Sequence, residues 1–258
     1  MSALSGSGGN IAALVNAEGK LLVDAGIGVS RDKLSTALER LGPGPVKYVV
    51  NTHWHWDHTD GNDWLHRAGA TIVAQENTLK RLSQTTRVDD WNYTFKPASV
   101  AARPTSLVKT EKTLKFGGET LLIHYYGPCH TDTDVYVYFK TADVLVTGDT
   151  FWNGVYPFID RNTGGSIDGM IRAANVNLAR ATDTTLIVPG HGPIAKRGDL
   201  VAYRDMLSSI RAKVAELKQQ GKSEKEAVAA RPTAAYDAKW GNFVIDPGFF
   251  TRLVYRGV

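Results

Sequence analysis

The sequence is short of cysteine and of long apolar runs. Cys129 is the only cysteine in 258 residues, so an internal disulfide is excluded and cysteine usage indicates nothing about the redox compartment. The apolar stretches extend over only about five to eight residues, whereas a transmembrane helix needs roughly 20. We therefore expect no membrane span and no membrane partner.

The chain also lacks a concentrated run of basic charge. Its 30 Lys and Arg residues outnumber 26 Asp and Glu residues by a net charge of +4, and they are scattered. Nucleic-acid-binding proteins usually gather such charge on one face, so we expect no nucleic-acid partner. Residues 1–10 show neither the basic start nor the apolar core of a signal peptide. Localisation stays open between the cytoplasm and, where a leader has been removed, the periplasm.

The overall composition is that of a globular protein, with 43% hydrophobic and 22% charged residues. Short apolar runs closed by turn residues alternate with helical patterns, which is typical of an α/β fold. We predict one domain over residues 1–258, with a helical C-terminal segment from about residue 200 that is also a candidate homodimer surface. Strands are predicted over 11–15, 20–23, 46–50, 71–74, 120–126, 135–139, 144–146 and 186–188, and helices over 31–41, 61–68, 166–181 and 200–220.

Residues 81–108 form a long polar segment that carries Trp91, Tyr93 and Phe95. We interpret it as a loop, because no periodic pattern runs through it. A loop of that length in a compact domain is usually functional, so we expect it to cover a substrate. The alternative is that its aromatic side chains simply pack the loop onto its own domain.

The most informative segment is 51–60, which reads NTHWHWDHTD. Side chains alternate in an extended backbone, so His53, His55 and Asp57 point to one side while the tryptophans between them point to the other. His58 breaks this alternation, which predicts a turn into a helix near residues 59–61. Imidazole and carboxylate groups at this density are typical of a zinc site.

Further candidate ligands follow other predicted strands. Apolar runs lead into His130, into Asp149 of Thr-Gly-Asp and into His191 of Pro-Gly-His-Gly, so we expect all of them just past strand ends at one sheet edge. His66 and His124 lie inside a predicted helix and strand, and we interpret them as structural. Cys129 precedes His130, and we interpret it as a buried or site-wall thiol rather than a ligand.

These four separated motifs, in this order over residues 10–192, resemble the metallo-β-lactamase superfamily. The resemblance implies an αββα four-layer sandwich with two zinc ions. It implies a first ion on His53, His55 and His130, a second on Asp57, His58 and His191, and a bridge formed by Asp149. Asp24 matches the family's strand-end aspartate, a group that supports the ligands.

The resemblance also implies a reaction. Two zinc ions would make a shared water acidic enough to attack as hydroxide, with Asp57 orienting it as the catalytic residue. The expected enzyme is a hydrolase of an ester, lactone, thioester or β-lactam with a small-molecule substrate. Trp152, Asn153 and Tyr156 are candidate substrate contacts, with Tyr156 as a hydrogen-bond donor; the alternative is simple loop packing.

Two alternatives stay open. The first is a metal-binding accessory protein without hydrolytic activity. The second is an iron redox enzyme of the same fold, although the iron relatives typically carry Glu where this chain has His55. Zinc is therefore favoured, and the ligand set also accepts manganese or iron.

Overall fold

The computed structural model describes residues 1–5 and 8–258. Within them the strands are, in chain order, β1 Ser2–Leu4, β2 Ile11–Asn16, β3 Gly19–Val23, β4 Val46–Val50, β5 Thr71–Gln75, β6 Thr86–Val88, β7 Tyr93–Phe95, β8 Ser106–Val108, β9 Glu111–Phe116, β10 Glu119–Tyr125, β11 Val135–Phe139, β12 Val144–Trp152 and β13 Leu186–His191. The helices are α1 Arg31–Leu41, α2 Trp56–Thr59, α3 Asn62–Arg67, α4 Glu76–Ser83, α5 Ile167–Arg180, α6 Arg197–Gln219, α7 Glu224–Ala229, α8 Asp237–Trp240 and α9 Pro247–Tyr255.

Two mixed sheets organise these strands. The first has the order β1-β2-β3-β4-β5-β8, with antiparallel pairing up to β3 and parallel pairing from β3 onward. The second has the order β13-β12-β11-β10-β9 and is antiparallel except for the β12 and β13 pair. A separate two-stranded ribbon joins β6 to β7. The parallel pairs direct the carboxyl ends of β3, β4 and β5 to one edge.

The two sheets pack face to face through alternating apolar side chains. Leu21, Val23 and Val50 of the first sheet share one buried cluster with Val137 and Val146 of the second. Because side chains of a strand alternate between its two faces, the intervening residues point outward and need their own cover.

Helices supply that cover on both outer sides. Leu34 and Leu38 of α1 pack with Leu22 and Val49 under the first sheet. On the second sheet, the outward-facing Leu145 joins a larger cluster to which α5, α6 and α9 contribute. The layers are therefore helix, sheet, sheet and helix, which confirms the predicted αββα sandwich.

The prediction missed β1, α4 and β9, and its bounds for β12 and β13 differ from the observed ones. β12 continues through Trp152 rather than ending at residue 146, and β13 includes His191. Asp149 therefore lies within a strand, not past its end as expected. The pairing of β12 with β13 shifts register between Val146 and Gly148 and again before Trp152, so this part of β12 is irregular. That irregularity hides the strand from the alternation pattern.

The interpretation of 81–108 as a loop is wrong. The segment contains the end of α4, the β6–β7 hairpin, short 3-10 turns at 89–91 and 100–102, and β8 at the edge of the first sheet. Phe95 of the hairpin packs edge-on against the Trp54 ring, with centroids 5.3 Å apart. Tertiary contact of this kind, rather than local periodicity, stabilises these short elements.

No helix in residues 1–5 and 8–258 combines the length and apolarity that a membrane crossing requires. The C-terminal helices share the cluster on the second sheet with α5. The expectation that one domain spans residues 1–258, and that its C-terminal helices form a dimer surface, stays a prediction.

Candidate metal centre

The motif at residues 53–58 follows β4 and is held in shape by buried polar contacts. The Thr52 backbone N–H donates to Asp24 Oδ1 at 2.7 Å, and the side-chain amides of Asn51 and Asn62 donate to each other at 3.0 and 2.8 Å. Helix α2 begins at Trp56, three residues earlier than the predicted turn, and places His58 in its last turn. The chain therefore turns inside the motif and aims its ligands in two directions.

The first group of side chains gathers His53, His55, His130 and Asp149. One ligand atom from each lies within 4.8 Å of the others, and all four residues are buried. His130 Nε2 is 3.0 Å from His55 Nδ1 and 3.5 Å from Asp149 Oδ2. Donors of this kind surround a zinc ion at about 2.0 to 2.2 Å, so such spacings suit a single cation.

The second group gathers Asp57, His58 and His191, again within 4.8 Å of one another. Asp57 Oδ2 is 3.4 Å from His58 Nε2 and 3.2 Å from His191 Nε2. Asp149 Oδ2 lies 3.4 Å from His191 Nε2, so this carboxylate of the first group also reaches the second. The two groups are adjacent and share Asp149.

In four of these histidines, the ring nitrogen that is not directed to the centre contacts another protein atom. His55 Nε2 is 3.0 Å from Asp160 Oδ2, and His58 Nδ1 is 2.8 Å from Asp24 Oδ2. The two remaining contacts are His130 Nδ1 with the Phe158 carbonyl at 2.9 Å and His53 Nδ1 with Thr52 Oγ1 at 3.1 Å. In a neutral imidazole, an acceptor on the N–H of one ring nitrogen orients the ring and leaves the other nitrogen available to a cation.

Asp160 is a functional residue that the sequence analysis missed. It is fully buried, accepts a hydrogen bond from Thr163 Oγ1 at 2.6 Å, and lies 105 residues from His55 in the chain. Asp24 was expected as a supporting group, and its contact with His58 fits that expectation. No local spacing marks Asp160, because its partner is set by the packing of the loop after β12.

Buried polar atoms without partners point into both groups. In the described part of the chain, His53 Nε2, His58 Nε2 and Asp149 Oδ1 have no hydrogen-bond partner. His58 Nε2 and Asp149 Oδ1 lie 3.1 Å apart without hydrogen-bond geometry. Leaving such atoms unpaired costs about 1–3 kcal/mol each, whereas a cation in each of the two groups would satisfy all three atoms. The residues therefore fit a metal ion in each group.

The electrostatics also favour cations. Burial lowers the pKa of His53 and of His130, the latter to about 4, so both rings are neutral. Burial also disfavours the charged form of His191, but Asp149 and Asp57 outweigh it and raise its pKa to about 9. For Asp149 itself burial opposes ionisation, yet the surrounding histidines hold the pKa of its carboxyl well below the ordinary value. The carboxylates thus remain charged and available to an ion.

Two glycines allow the backbones to approach at the centre. A Cβ on Gly190 would overlap Asp149 Oδ1 and the backbone of Gly148, and a Cβ on Gly148 would overlap the Thr52 side chain. Gly148 also has a φ of +53°, which side chains other than glycine rarely adopt. These positions let β12 and β13 bring Asp149 against His191.

The three candidate substrate contacts have different positions. The Trp152 ring lies 4.3 Å from the His191 ring, beside the second group. Asn153 instead donates from Nδ2 to the Pro193 carbonyl at 3.0 Å. Tyr156 is fully buried, and its hydroxyl lies 3.0 Å from Asp237 Oδ1 while its ring stacks on Phe250. Of the three side chains, that of Trp152 lies beside a ligand histidine, whereas those of Asn153 and Tyr156 contact the Pro193 carbonyl and Asp237. Their role as substrate contacts stays a prediction.

The remaining residues that the sequence analysis weighed lie outside both groups. His66 Nδ1 contacts the Ala70 carbonyl at 3.0 Å, and His124 stacks on Tyr136 at 5.1 Å. Cys129 is buried, and burial raises the pKa of its thiol. Its nearest polar partner is Arg172, 3.5 Å from the sulfur.

Comparison with known proteins identifies the family. The family model described as the metallo-beta-lactamase superfamily matches residues 4–191. The chain belongs to the metallo-beta-lactamase superfamily. Its relatives include a hydroxyacylglutathione hydrolase of Polaromonas sp., 27% identical over 184 residues that cover 67% of this chain and 62% of the relative. Another is metallo-beta-lactamase IND-1 of Chryseobacterium indologenes, 24% identical over 57% of this chain and 56% of the relative.

The chain thus spans about 60% of the length of these two superfamily relatives, 62% and 56% respectively. Among solved structures, the sec-alkylsulfatase Pisa1 from Pseudomonas sp. has a TM-score of 0.71 and 16% identity, covering 96% of this chain and 47% of that one. At that identity the likeness shows the fold. The structural match covers 96% of this chain and so extends into the helices after residue 191, which the family model does not cover.

Proposed function

We propose that this superfamily member is a dinuclear zinc hydrolase that cleaves an activated carbonyl bond in an ester, lactone, thioester or β-lactam. The observation that carries the proposal is the position of Asp149, whose Oδ2 lies 3.5 Å from His130 Nε2 and 3.4 Å from His191 Nε2. A carboxylate between two complete ligand groups is suited to bridge two ions. The other six ligands are those predicted from the motif.

Two zinc ions, when bound, supply Lewis acidity and make water acidic enough to act as a nucleophile near neutral pH. The chain's own contribution is positional. The side chain of Asp57 is 18% exposed, against 2% for Asp149, so it is the ligand carboxylate that faces an incoming substrate. Asp57 orients the attacking water and accepts its proton. Asp24 and Asp160 hold His58 and His55 in place before the substrate arrives.

The substrate is proposed by class. One relative is a hydroxyacylglutathione hydrolase and the other a metallo-beta-lactamase, so hydrolysis is the activity that both names share. The side chains of His55, Asp57 and His191 are 9%, 18% and 12% exposed, so the centre is partly accessible to solvent, and we propose a small molecule as the substrate. Zinc suits the nitrogen and oxygen ligands, while manganese and iron are the alternatives.

The proposal is tested by His55→Ala and Asp149→Ala, with metal content measured by elemental analysis and hydrolysis by a panel of lactams, lactones, thioesters and esters. We expect the unmodified chain to bind about two zinc ions. Each variant should lose metal and at least about 100-fold in kcat/KM, because the ligand set is incomplete. His124→Ala removes a histidine outside the centre and serves as the matched control.

Other outcomes would identify the alternatives. A chain that holds both ions but hydrolyses nothing on the panel would favour a metal-binding accessory role. An iron content with a visible chromophore would favour a redox enzyme. Full activity in both ligand variants would refute the hydrolase proposal itself.

A further inference from the structure

Two exposed aromatic rings lie near the two ligand groups of the metal centre. Phe243 is 49% exposed and Trp91 is 41% exposed. The Phe243 ring lies 6.1 Å from the Trp152 ring and 6.4 Å from the His191 ring, beside the second ligand group. Trp91 lies 4.8 Å from the buried Phe158 ring.

Phe158 in turn connects Trp91 to the first ligand group. Its ring centroid is 6.1 Å from that of His55 and 6.0 Å from that of His130. The Phe243 ring is therefore a direct neighbour of a ligand histidine, whereas the Trp91 ring is separated from the ligand histidines by Phe158.

Both rings are carried by segments that the rest of the protein anchors. Phe243 lies in the turn between α8 and α9, just after the buried Trp240, whose carbonyl accepts the Tyr156 N–H at 2.8 Å. Trp91 lies in the β6–β7 hairpin, where the neighbouring Asp90 accepts a hydrogen bond at 2.6 Å from Arg256, the residue after α9. Both rings are therefore exposed on segments that hydrogen bonds attach to the rest of the protein.

The carboxylates of the centre pair with histidines. Among the described residues, no Lys or Arg lies within ion-pair distance of Asp57, Asp149, Asp24 or Asp160. Arg161, next to Asp160 in the chain, lines a polar pocket at the β6–β7 hairpin together with Asp89, Asp90 and Arg256. The exposed surface nearest to the ligand histidines therefore includes the apolar faces of two aromatic rings.

From these observations we infer that Phe243 and Trp91 are specificity-determining residues that bind an apolar alkyl or aryl substituent of the substrate. The inference rests on the proposed function and names its substrate class. Covering an aromatic ring with an apolar group removes both surfaces from water, which favours binding in proportion to the area buried. Phe243 lies outside residues 4–191, so the family match does not assign it.

The experiment uses two metal-binding probes, decanohydroxamic acid and acetohydroxamic acid, titrated calorimetrically into the zinc-loaded full chain. They carry the same metal-binding group and differ only in the apolar tail. We expect the decanoyl probe to bind at least about tenfold more tightly. Phe243→Ala and Trp91→Ala should each reduce this ratio by roughly five- to tenfold while the affinity for acetohydroxamic acid changes less than about twofold.

Leu186→Ala is the matched control, because Leu186 is 43% exposed but lies at the opposite end of β13 from His191. It should keep the ratio of the unmodified chain. Equal affinity for the two probes, or an unchanged ratio in both aromatic variants, would overturn the inference.

A parallel assay separates this inference from the proposed function. With p-nitrophenyl esters, we expect kcat/KM to rise from acetate to decanoate and the aromatic variants to lose that preference through KM. A probe ratio that responds to the variants in a chain that hydrolyses no ester would refute hydrolysis alone. Ester hydrolysis without any chain-length preference would refute the apolar subsite alone.

Discussion

At the residue scale, the centre depends on histidine rings whose orientation is fixed by contacts of one ring nitrogen with other protein atoms. In four of its histidines, one ring nitrogen contacts a carboxylate, a carbonyl or a hydroxyl of the protein. For His55 and His58 the contact is with the buried carboxylates of Asp160 and Asp24. Such support fixes the ring orientation and raises the basicity of the nitrogen that faces the centre. The protein's own contacts therefore set the orientation of these rings.

A glycine provides the sharpest test at this scale. In Gly190→Ala the new methyl group would overlap Asp149 Oδ1 and the backbone of Gly148, so Asp149 must move away from His191. We expect bound zinc to fall by at least one ion per chain and kcat/KM by about 100-fold or more. Elemental analysis and hydrolysis rates measure the two losses.

Gly198→Ala is the control for this substitution, because a Cβ at Gly198 meets no atom within 4 Å. It should leave metal content and activity unchanged. Normal zinc content in Gly190→Ala would show that β12 and β13 can separate without disturbing the centre.

Seven residues of the candidate centre could be picked from the sequence because their chemistry is local. Three histidines and an aspartate within six positions, and His130, Asp149 and His191 beside turn residues, are visible without a fold. Asp160 was not visible, and the sequence left Tyr156 open between a substrate contact and loop packing. Their partners, His55 and Asp237, lie 105 and 81 residues away, and only the packed structure brings them together.

At the element scale, the same distinction holds for the strands. Regular alternation predicted the central part of both sheets, including β4 and β11, within about a residue. Alternation failed for β12 beyond Val146, because the pairing with β13 shifts register there. It also failed for the β6–β7 hairpin, which is stabilised by a contact with the distant Trp54 ring. Periodicity reports on a regular half-buried surface and not on such contacts.

A buried carboxylate at the start of β10 gives a pH-dependent prediction. Glu119 accepts backbone N–H groups of Thr120, Thr141 and Ala142 at 2.7 to 2.9 Å. Burial opposes its ionisation, but these hydrogen bonds outweigh burial and lower the pKa of its carboxyl. The ionised form is therefore favoured in the folded state, and its contribution to stability is present above the ordinary pKa of Glu and lost as pH falls below it.

Glu119→Gln should thus lower the free energy of unfolding by about 1 kcal/mol at pH 7, with the difference shrinking towards zero below about pH 4. Urea unfolding in the presence of EDTA measures it without a contribution from metal release. Glu39→Gln, which removes an exposed carboxylate on α1, is the matched control and should leave the free energy of unfolding at pH 7 nearly unchanged. A difference that persists unchanged at low pH would contradict the role of the Glu119 charge.

At the scale of the whole molecule, the C-terminal helices close the second sheet. Tyr203, Leu207 and Ile210 of α6 and Phe250 of α9 belong to the same buried cluster as Leu145. Without them, the outer face of the second sheet would be exposed to water. The helices after the family match are therefore part of the sandwich core.

A chain ended at residue 196 tests this and the single-domain prediction together. We expect it to lose the cooperative thermal transition and the near-UV circular dichroism of the full chain, and to bind anilinonaphthalene sulfonate, because a large apolar face is uncovered. A sharp transition in the shortened chain, at a temperature close to that of the full chain, would show that the C-terminal helices form a separate unit.

All seven grouped ligands lie between residues 53 and 191, whereas Phe243 lies in the stretch that follows. On the two proposals above, the cation-binding residues and one apolar wall of the substrate site are thus encoded by different parts of the gene. We expect that replacing the segment after residue 196 with another that keeps the same packing face would change substrate selectivity. The two groups of candidate metal ligands would stay in place. Combinatorial libraries aimed at new selectivity are best confined to the stretch around Phe243 and to the hairpin tip.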